Sequence, residues 1–374
     1  MSLDTSYRQA AGTISGAGPD GPVLESLVDI IKVLVKEDEI DTIMAFQEMR
    51  SQSIDQLKET TGFSEEVILE KTDSLARKGL IFNQPNSKGV KVFRLLPLVN
   101  VGVFEYTFMK KLENTPEEQK IADLFAKFFN EQRENRQITD EQLKQFIQKM
   151  PAPDRTMPIR YNKATKETTI IDMNEDLGEM PDKIMLTQEV RDLIDKFDEI
   201  AVGHCFCRNH ADTQGHSCKQ TDLRETCFTF GKSARFTTEN GFMRMIDKEE
   251  AVDILLKSEE DGLVHKAYHP NFDISKPETS ICNCCADCCG NSKFVVVNVT
   301  NYLSKVDPEI CTGCETCAER CHTHAIALGE DGVSHVDVEK CIGCGVCAYF
   351  CPENAITIIE TPTRTVRVVQ PQED

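Results

Sequence analysis

Two cysteine runs of identical spacing lie in the C-terminal part of this sequence. The first is Cys311-Thr-Gly-Cys314-Glu-Thr-Cys317-Ala-Glu-Arg-Cys321, and the second, thirty residues further on, is Cys341-Ile-Gly-Cys344-Gly-Val-Cys347-Ala-Tyr-Phe-Cys351-Pro352. In each run two residues separate the first three thiols, and three residues precede the fourth. Glycines inside the runs permit a tight loop, so that three thiols can converge on one point.

This spacing is typical of [4Fe–4S] binding, in which three thiolates of a run hold one cluster and the fourth crosses to the neighbouring cluster. The sequence therefore predicts two [4Fe–4S] clusters. The first takes Cys311, Cys314, Cys317 and Cys351; the second takes Cys341, Cys344, Cys347 and Cys321. Disulfides and zinc are the alternatives, but zinc usually takes two cysteine pairs with a longer gap between them.

These residues resemble the 2[4Fe–4S] bacterial-type ferredoxins, over about fifty of the 374 residues. The resemblance implies two small βαβ-like halves related by pseudo-symmetry, with strands over 333–338 and 355–359. One residue departs from the family pattern, because His322 follows Cys321 where proline is usual and the rigid turn is lost. We predict His322 to be a solvated surface residue; the alternative is a hydrogen bond to sulfur that raises the cluster potential.

The charge of the chain argues against a general polyanion-binding role. Its formal net charge is −20, and from residue 301 onward twelve acidic residues face five basic ones, a net charge of −7. Phosphate contacts need clustered lysine and arginine. An acidic surface instead suits docking on a basic patch of a redox partner protein or oxidoreductase complex.

The cysteines also indicate the compartment. All 17 lie between Cys205 and Cys351, the N-terminal residues carry no export signal, and no apolar run is long enough to span a membrane. Many cysteines without an export signal indicate reduced thiols and metal rather than disulfides. We predict a cytoplasmic protein, from an anaerobic or low-oxygen cell.

A second cysteine region precedes the two runs, and its clustering indicates metal binding rather than incidental thiols. It predicts one or two additional iron–sulfur clusters, with zinc as the alternative. Two arrangements are open, since the first four cysteines and the last five can form separate sets or interleave around a shared centre. We predict His204, His210 and His216 to be polar surface residues or neighbours of the ligands. The nine cysteines are Cys205, Cys207, Cys218, Cys227, Cys282, Cys284, Cys285, Cys288 and Cys289.

Near the N-terminus the pattern predicts two helices followed by a two-stranded ribbon. Ser53 begins a short helix that Gly62 ends, and Ser64 begins a second helix that ends at Gly79. Strands follow on either side of a polar hairpin at 84–89. This arrangement resembles the winged-helix domain.

The charge of this domain argues against DNA as its ligand. The second helix opens with Glu65 and Glu66, and 23–110 holds fourteen acidic and eleven basic residues. A DNA-binding domain normally shows a basic footprint. We therefore predict a protein-docking domain, and DNA binding is disfavoured but stays open.

Further start and stop signals for helices and strands divide the rest of the chain into segments. Helices are predicted from Pro116, from the Thr139 cap, from Leu186-Thr187 through Phe197, and from the Asp247 cap to Gly262. Strands are predicted at 168–171, 200–202 and 263–265. Phenylalanines between 121 and 129 are predicted to be core residues. The fold class is α+β, in the following segments: a flexible tail (1–22), a winged-helix-like domain (23–110), a helical connection (111–153), a cysteine-rich module (154–300), a ferredoxin domain (301–360) and a C-terminal tail (361–374).

The cysteine-rich part, with Cys205-x-Cys207-Arg208 and Ile281-Cys-Asn-Cys-Cys285, looks like a little-characterised group of multi-cluster ferredoxin-like proteins of anaerobes. The resemblance implies electron transfer. The leading hypothesis is a non-catalytic electron-transfer protein or subunit, and no catalytic residue is predicted. The alternatives are an iron–sulfur redox-sensing DNA-binding regulator and a reductase with a catalytic cluster in the 205–289 region.

Overall fold

The structure is a computed structural model that describes residues 2–86, 88–135, 139–165, 167–171, 190–269, 277–290 and 295–370. It mixes helices and strands, which confirms the predicted α+β class. The helices are α1 (Leu3–Ser15), α2 (Glu25–Leu34), a 3-10 turn (Glu37–Glu39), α3 (Ile40–Met44), α4 (Ile54–Thr61), α5 (Glu65–Ala76), α6 (Val103–Met109), α7 (Pro116–Asn135), α8 (Asp140–Lys149), α9 (Val190–Asp195), α10 (Phe206–Thr213), α11 (Lys232–Glu239), α12 (Lys248–Glu260), α13 (Thr316–Glu319) and α14 (Val346–Tyr349). The strands are β1 (Ser51–Ser53), β2 (Ile81–Phe82), β3 (Val92–Leu95), β4 (Asp154–Met157), β5 (Ile170–Ile171), β6 (Ile200–His204), β7 (Glu225–Phe230), β8 (Arg244–Ile246), β9 (Val264–Tyr268), β10 (Ser280–Cys284), β11 (Val295–Val306), β12 (Ile326–Leu328), β13 (Ser334–Val336) and β14 (Ile356–Val369).

The chain divides into two compact units. The first consists of Met1–Gln137, Phe206–Ser217 and Ala234–Arg244, and the second of Ile138–Cys205, Cys218–Ser233 and Met245–Asp374. This division differs from the predicted segments, because most of the cysteine-rich module falls in one unit with the ferredoxin domain. Strand β11 crosses the predicted boundary at 300, so no linker separates the two.

The first unit contains the two capped helices and the ribbon that the sequence predicts. The Ser53 hydroxyl accepts from the backbone N–H of Gln56 at the start of α4, and the Ser64 hydroxyl accepts from that of Val67 in α5. Strand β3 pairs antiparallel with β2 and also with β1, a short strand that the sequence pattern did not predict.

Helix α1 corrects the prediction of a flexible tail over 1–22. The Ser2 hydroxyl caps it by accepting from the Thr5 N–H, and Ala10, Ala11 and Ile14 are buried. A Cβ on Gly12 would lie 2.0 Å from the carbonyl oxygen of Gly18, so the small residues here permit close packing rather than indicating disorder.

Aromatic rings fill the core of the first unit where α6, α7 and α10 meet. The Phe104 ring centroid lies 5.1 Å from that of Phe125 and 4.9 Å from that of Phe129, which confirms core packing for these phenylalanines. His210 lies among them, with its Nε2 at 3.2 Å from the Ala122 carbonyl oxygen, and burial lowers its pKa. It is therefore a core residue and not the polar surface residue predicted.

A nine-stranded sheet forms the centre of the second unit, in the order β5-β14-β11-β4-β9-β10-β7-β6-β8. One face packs against α9 and α12 through an apolar core that includes Leu193, Phe228 and Leu255. The Asp247 side chain accepts from the Glu250 N–H at the start of α12, and Gly262 follows the helix with a φ of 73°, as the start and stop signals predicted. The predicted strands at 200–202 and 263–265 correspond to β6 and β9.

The C-terminal part consists of two halves, thirty residues apart, as the resemblance implied. One half is β11, α13 and β12; the other is β13, α14 and β14. The outer strands pair from Val295↔Val369 to Val306↔Ile356, and β12 pairs with β13. Strand β14 continues to Val369, so the predicted C-terminal tail is wrong for 361–369, where Val366 and Val368 alternate into the core; residues 371–374 lie outside the described part.

Along the described ranges, no helix is both long and apolar enough to cross a membrane.

Candidate metal centres

Cavity A, in the second unit, has a volume of about 310 Å³, part of it open to solvent, and is lined by Cys311, Cys314, Cys317 and Cys351 together with Ser334. Polar groups point at its sulfurs. The Ser334 hydroxyl lies 3.4 Å from Cys317 Sγ, and the Ala355 N–H donates to Cys351 Sγ at 3.2 Å. Cys314 is exposed, and its hydrogen bond with the Thr316 side chain lowers the pKa of its thiol.

Cavity B has a volume of about 350 Å³, part of it open to solvent, and is lined by Cys321, Cys341, Cys344 and Cys347 together with Ser304. The Ser304 hydroxyl lies 3.2 Å from Cys347 Sγ, and the Ala325 N–H donates to Cys321 Sγ at 3.1 Å. Burial raises the pKa of Cys344 to about 12 and raises that of Cys347 well above its ordinary value. None of the four cysteines of cavity B is exposed, unlike Cys314 of cavity A.

Each cavity contains three cysteines of one run and the fourth cysteine of the other. Cys351 lines cavity A and Cys321 lines cavity B, so the structure brings together both sets of four that the spacing predicted. Sequence reasoning missed Ser304 and Ser334. Their signal was present, because they too lie thirty residues apart, in register with Cys317 and Cys347.

His322 lines cavity B and corrects the prediction of a solvated surface histidine. It is 8% exposed, its Nε2 lies 3.2 Å from the Gly262 carbonyl oxygen, and its own carbonyl accepts from Gln370 at 2.7 Å. Burial lowers its pKa to about 4, so the ring is neutral near pH 7 and donates Nε2–H to Gly262. The sequence could not reveal this, because the covering residues are 60 and 48 positions away.

Three cysteines of the upstream region lie together: the Sγ atoms of Cys218, Cys285 and Cys288 are all within 4.8 Å of one another. Hydrogen bonds from Cys285 and Cys288 hold the pKa of Cys218 far below its ordinary value, while contacts with Cys218 and Cys285 raise that of Cys288. The two cysteine groups therefore interleave, since Cys218 belongs to the first and the others to the second.

A second thiol group lies on the sheet face opposite the apolar core. Cys227 and Cys282 are directly opposed on β7 and β10, and contacts with Cys227 and Cys284 raise the pKa of Cys282. Lys266, 2% exposed, is opposite Cys282 on β9, with its Nζ 3.4 Å from Asp154 Oδ2. Burial alone lowers the pKa of Lys266, but Asp154, Cys284 and Cys289 raise it above its ordinary value, so the ammonium stays charged beside the thiols.

The remaining predicted residues are divided between the units. Cys205 is buried after β6 in the second unit, where its N–H donates to the Arg224 carbonyl at 2.7 Å. Cys207 is buried in α10 of the first unit. His216 is exposed, as predicted, and His204 is partly exposed at the end of β6.

The residues around both cavities fit a [4Fe–4S] cluster. Each cavity offers four thiols, the ligand set of such clusters, with hydroxyl and amide donors at the sulfurs. Glycine is also required by the loops: Gly343 has a φ of 63°, and a Cβ there would lie 2.5 Å from the Tyr302 carbonyl oxygen. The shape of the loops and the set of ligand atoms therefore both fit a [4Fe–4S] cluster.

The family comparison gives the class of this part of the chain. The family model of the 4Fe-4S binding domain matches residues 335–357, which contain the whole second cysteine run. The chain therefore carries a ferredoxin-like 4Fe–4S motif at its C-terminal end. No curated protein and no solved structure matches the chain.

Proposed function

We propose that this protein is an iron–sulfur electron-transfer protein or subunit that binds one [4Fe–4S] cluster in cavity A and one in cavity B. The crossing of Cys321 and Cys351 into each other's cavities is the observation that carries the proposal. A cluster of this kind accepts and releases single electrons. The protein supplies the thiolates, the hydrogen bonds to sulfur and the exclusion of water.

The cysteines of the two cavities differ in exposure, and this difference favours one direction of electron transfer. None of the four cysteines of cavity B is exposed, whereas Cys314 of cavity A is exposed at the surface. Helix α13, within the first run, packs against helix α14, within the second. Electrons that enter through cavity B can leave at the Cys314 edge of cavity A, where the acidic surface suits a basic partner.

An additional iron–sulfur cluster fits best beside the sheet face that carries Cys227, Cys282 and Cys284, where Cys289 of the following loop contacts Cys284. Lys266 supports this assignment, because a buried ammonium offsets the negative charge that thiolates bring to a bound cluster. Zinc at these thiols is the alternative, and metal analysis separates the two.

For the N-terminal part we propose a winged-helix-like docking domain that holds a partner oxidoreductase, in the cytoplasm. Its α4–α5 pair and β2–β3 ribbon have the order of that fold, but α5 begins with Glu65 and Glu66, and Lys58 is already paired with Glu65. Retention of the reduced or oxidised protein on DNA at low salt would favour the regulator instead, since low salt strengthens phosphate contacts.

The test is anaerobic purification followed by iron and sulfide analysis and EPR spectroscopy. Two cubanes require about eight irons and eight sulfides per chain. Cys344→Ser and Cys314→Ser should each perturb a different cluster signal and leave the other. Fewer than about eight irons per chain would sink the proposal.

A further inference from the structure

The thiols of Cys218, Cys285 and Cys288 converge far more tightly than a cubane requires. Their Sγ atoms lie within 4.8 Å of one another, and those of Cys285 and Cys288 are 3.3 Å apart. Sulfurs around one tetrahedral zinc ion, at Zn–S of about 2.3 Å, are separated by about 3.8 Å. The spacing therefore matches ligands that share a single ion.

The ferredoxin-like cavities give an internal comparison. Cubane ligands bind four separate irons, so their sulfurs must stand farther apart. Among the residues that the structure describes, no other three histidine, cysteine or acidic ligand atoms come within 4.8 Å of one another. The cysteine sulfurs of cavities A and B are accordingly farther apart than those of Cys218, Cys285 and Cys288, which have the spacing of ligands to a single ion.

Reciprocal hydrogen bonds hold the two ligand loops together. The Lys219 N–H donates to Asp287 at 2.7 Å, and the Ala286 N–H donates to the Gln220 side chain at 2.8 Å. The Gln220 amide also donates to the Gly262 carbonyl at 2.9 Å. Within the second loop, the Cys288 N–H points at Cys285 Sγ at 3.3 Å, which favours a thiolate there. These bonds fix the distance between the ligand loops before any ion binds.

We propose that Cys218, Cys285 and Cys288 bind one thiophilic divalent ion, Zn²⁺ or Fe²⁺, as a mononuclear centre rather than a third cubane. Cys284 and Cys289 pack beside Cys218 and Cys285 around Leu263, so further thiols are near. The centre fastens the turn at Gly262, whose carbonyl accepts the His322 ring that lines cavity B. The proposal stands independently of the clusters in cavities A and B.

The experiment compares the metal and sulfide content of the full chain, purified without oxygen, with that of Cys285→Ser/Cys288→Ser. A mononuclear centre predicts the loss of one zinc or one iron per chain and no sulfide, with the EPR signals of cavities A and B retained. Cys344→Ser is the matched control and should lose iron and sulfide together while it keeps the single ion. The metal analysis also shows whether the ion that the variant loses is zinc or iron.

Two results overturn the proposal: loss of about four irons with four sulfides, or no metal difference between the proteins. X-ray absorption spectroscopy of the unmodified chain tests the proposal even if the double variant fails to fold. Three or four sulfurs at about 2.3 Å with no second metal nearby are expected of zinc. At the zinc edge, which the iron of cavities A and B does not affect, oxygen and nitrogen ligands only, or a metal–metal vector, would contradict a zinc centre. Failure of the electron-transfer proposal would appear separately, as iron missing from cavities A and B.

Discussion

At the scale of single residues, the thirty-residue repeat reaches beyond the cysteines to the groups that contact them. Ser334 lies 3.4 Å from Cys317 Sγ in one half, and Ser304 lies 3.2 Å from Cys347 Sγ in the other. Once the sulfurs are bound as thiolates, both hydroxyls can only donate. A donor stabilises the more negative, reduced state of a cluster and so raises its reduction potential.

Removing one hydroxyl should therefore lower the potential of one cluster. If the hydrogen bond favours the reduced state by about 1 kcal/mol, Ser334→Ala lowers the potential of the cavity A cluster by roughly 40 mV. Ser304→Ala should do the same to the cavity B cluster, and each variant serves as the control for the other. EPR-monitored redox titration measures both shifts. Equal shifts of both clusters in either variant would argue against a local effect.

Glu315 and Gly345 occupy the same place in the two halves and give a second prediction. Glu315 has a φ of 62° and Gly345 a φ of 80°, so the first half holds a non-glycine residue in the left-handed region. Left-handed backbone costs an L-residue about 1–2 kcal/mol, partly offset by the chain entropy of glycine. Glu315→Gly should raise the free energy of unfolding by about 0.5–1 kcal/mol.

The matched control is Gly345→Ala, where a Cβ would come within 2.5 Å of the Ile159 carbonyl oxygen. It should be destabilised by more than the gain from Glu315→Gly. Urea unfolding followed by far-UV circular dichroism measures both. A loss of stability in Glu315→Gly would mean that the carboxylate makes a favourable contact that outweighs the strain.

At the scale of elements, local signals predicted starts and stops well and tertiary pairing poorly. The caps at Ser53, Ser64, Thr139 and Asp247 all begin helices, because a capping side chain acts within three residues of itself. Helix α1 was missed because its buried face consists mostly of small residues, Ala10, Ala11 and Gly12. It lacks the large apolar residues at helical spacing by which a buried helix is recognised in a sequence. The second part of β14 was missed because its pairing partners in β11 lie 64 to 74 residues earlier, from Thr300↔Arg364 to Val295↔Val369.

The 3-10 turn before α3 is joined to α5 by one buried carboxylate. Glu39 accepts from Ser74 at 2.6 Å, from Lys78 at 2.5 Å and from the Lys36 N–H at 2.7 Å. Burial alone raises the pKa of Glu39, but the hydrogen bonds from these three groups outweigh it and bring the pKa below its ordinary value. Ionised Glu39 therefore stabilises the fold at neutral pH.

Glu39→Gln should lower the free energy of unfolding at pH 7 by about 2 kcal/mol, because Lys78 is left without its charged partner. A lowered carboxyl pKa contributes stability above the unfolded value of about 4.3 and loses it as the pH falls through the folded value. The deficit of the variant should thus shrink below about pH 4. Glu37→Gln, an exposed change on the same turn, is the control in urea unfolding. A deficit that persists undiminished at low pH would show that charge is not the cause.

At the scale of the whole molecule, the cysteines show which long-range contacts a sequence can reveal. The sets around cavities A and B were predictable because runs of this spacing are known to bind [4Fe–4S] clusters with the fourth cysteine crossing to the neighbouring cluster. Cys218 is 67 positions from Cys285, and no repeat relates them; the sheet that brings their loops together is built from strands far apart in the chain. Lys266 was hidden for the same reason, since its position beside Cys282 exists only in the register of β9 and β10.

The charge of the whole chain gives the last prediction. With a net charge of −20, electron transfer to a basic acceptor such as a cytochrome c should be steered by attraction and should slow at least tenfold as salt rises from about 10 mM to 0.5 M, where the screening length falls to a few ångströms. Transfer to ferricyanide, an anion, should instead become faster, and stopped-flow kinetics measures both.

If the basic acceptor docks at cavity A, Glu353→Lys at its rim should slow that reaction more than Glu37→Lys in the first unit, although both change the net charge equally. Equal slowing would show that net charge alone governs the encounter, and no salt dependence would remove the basis for a charged docking surface.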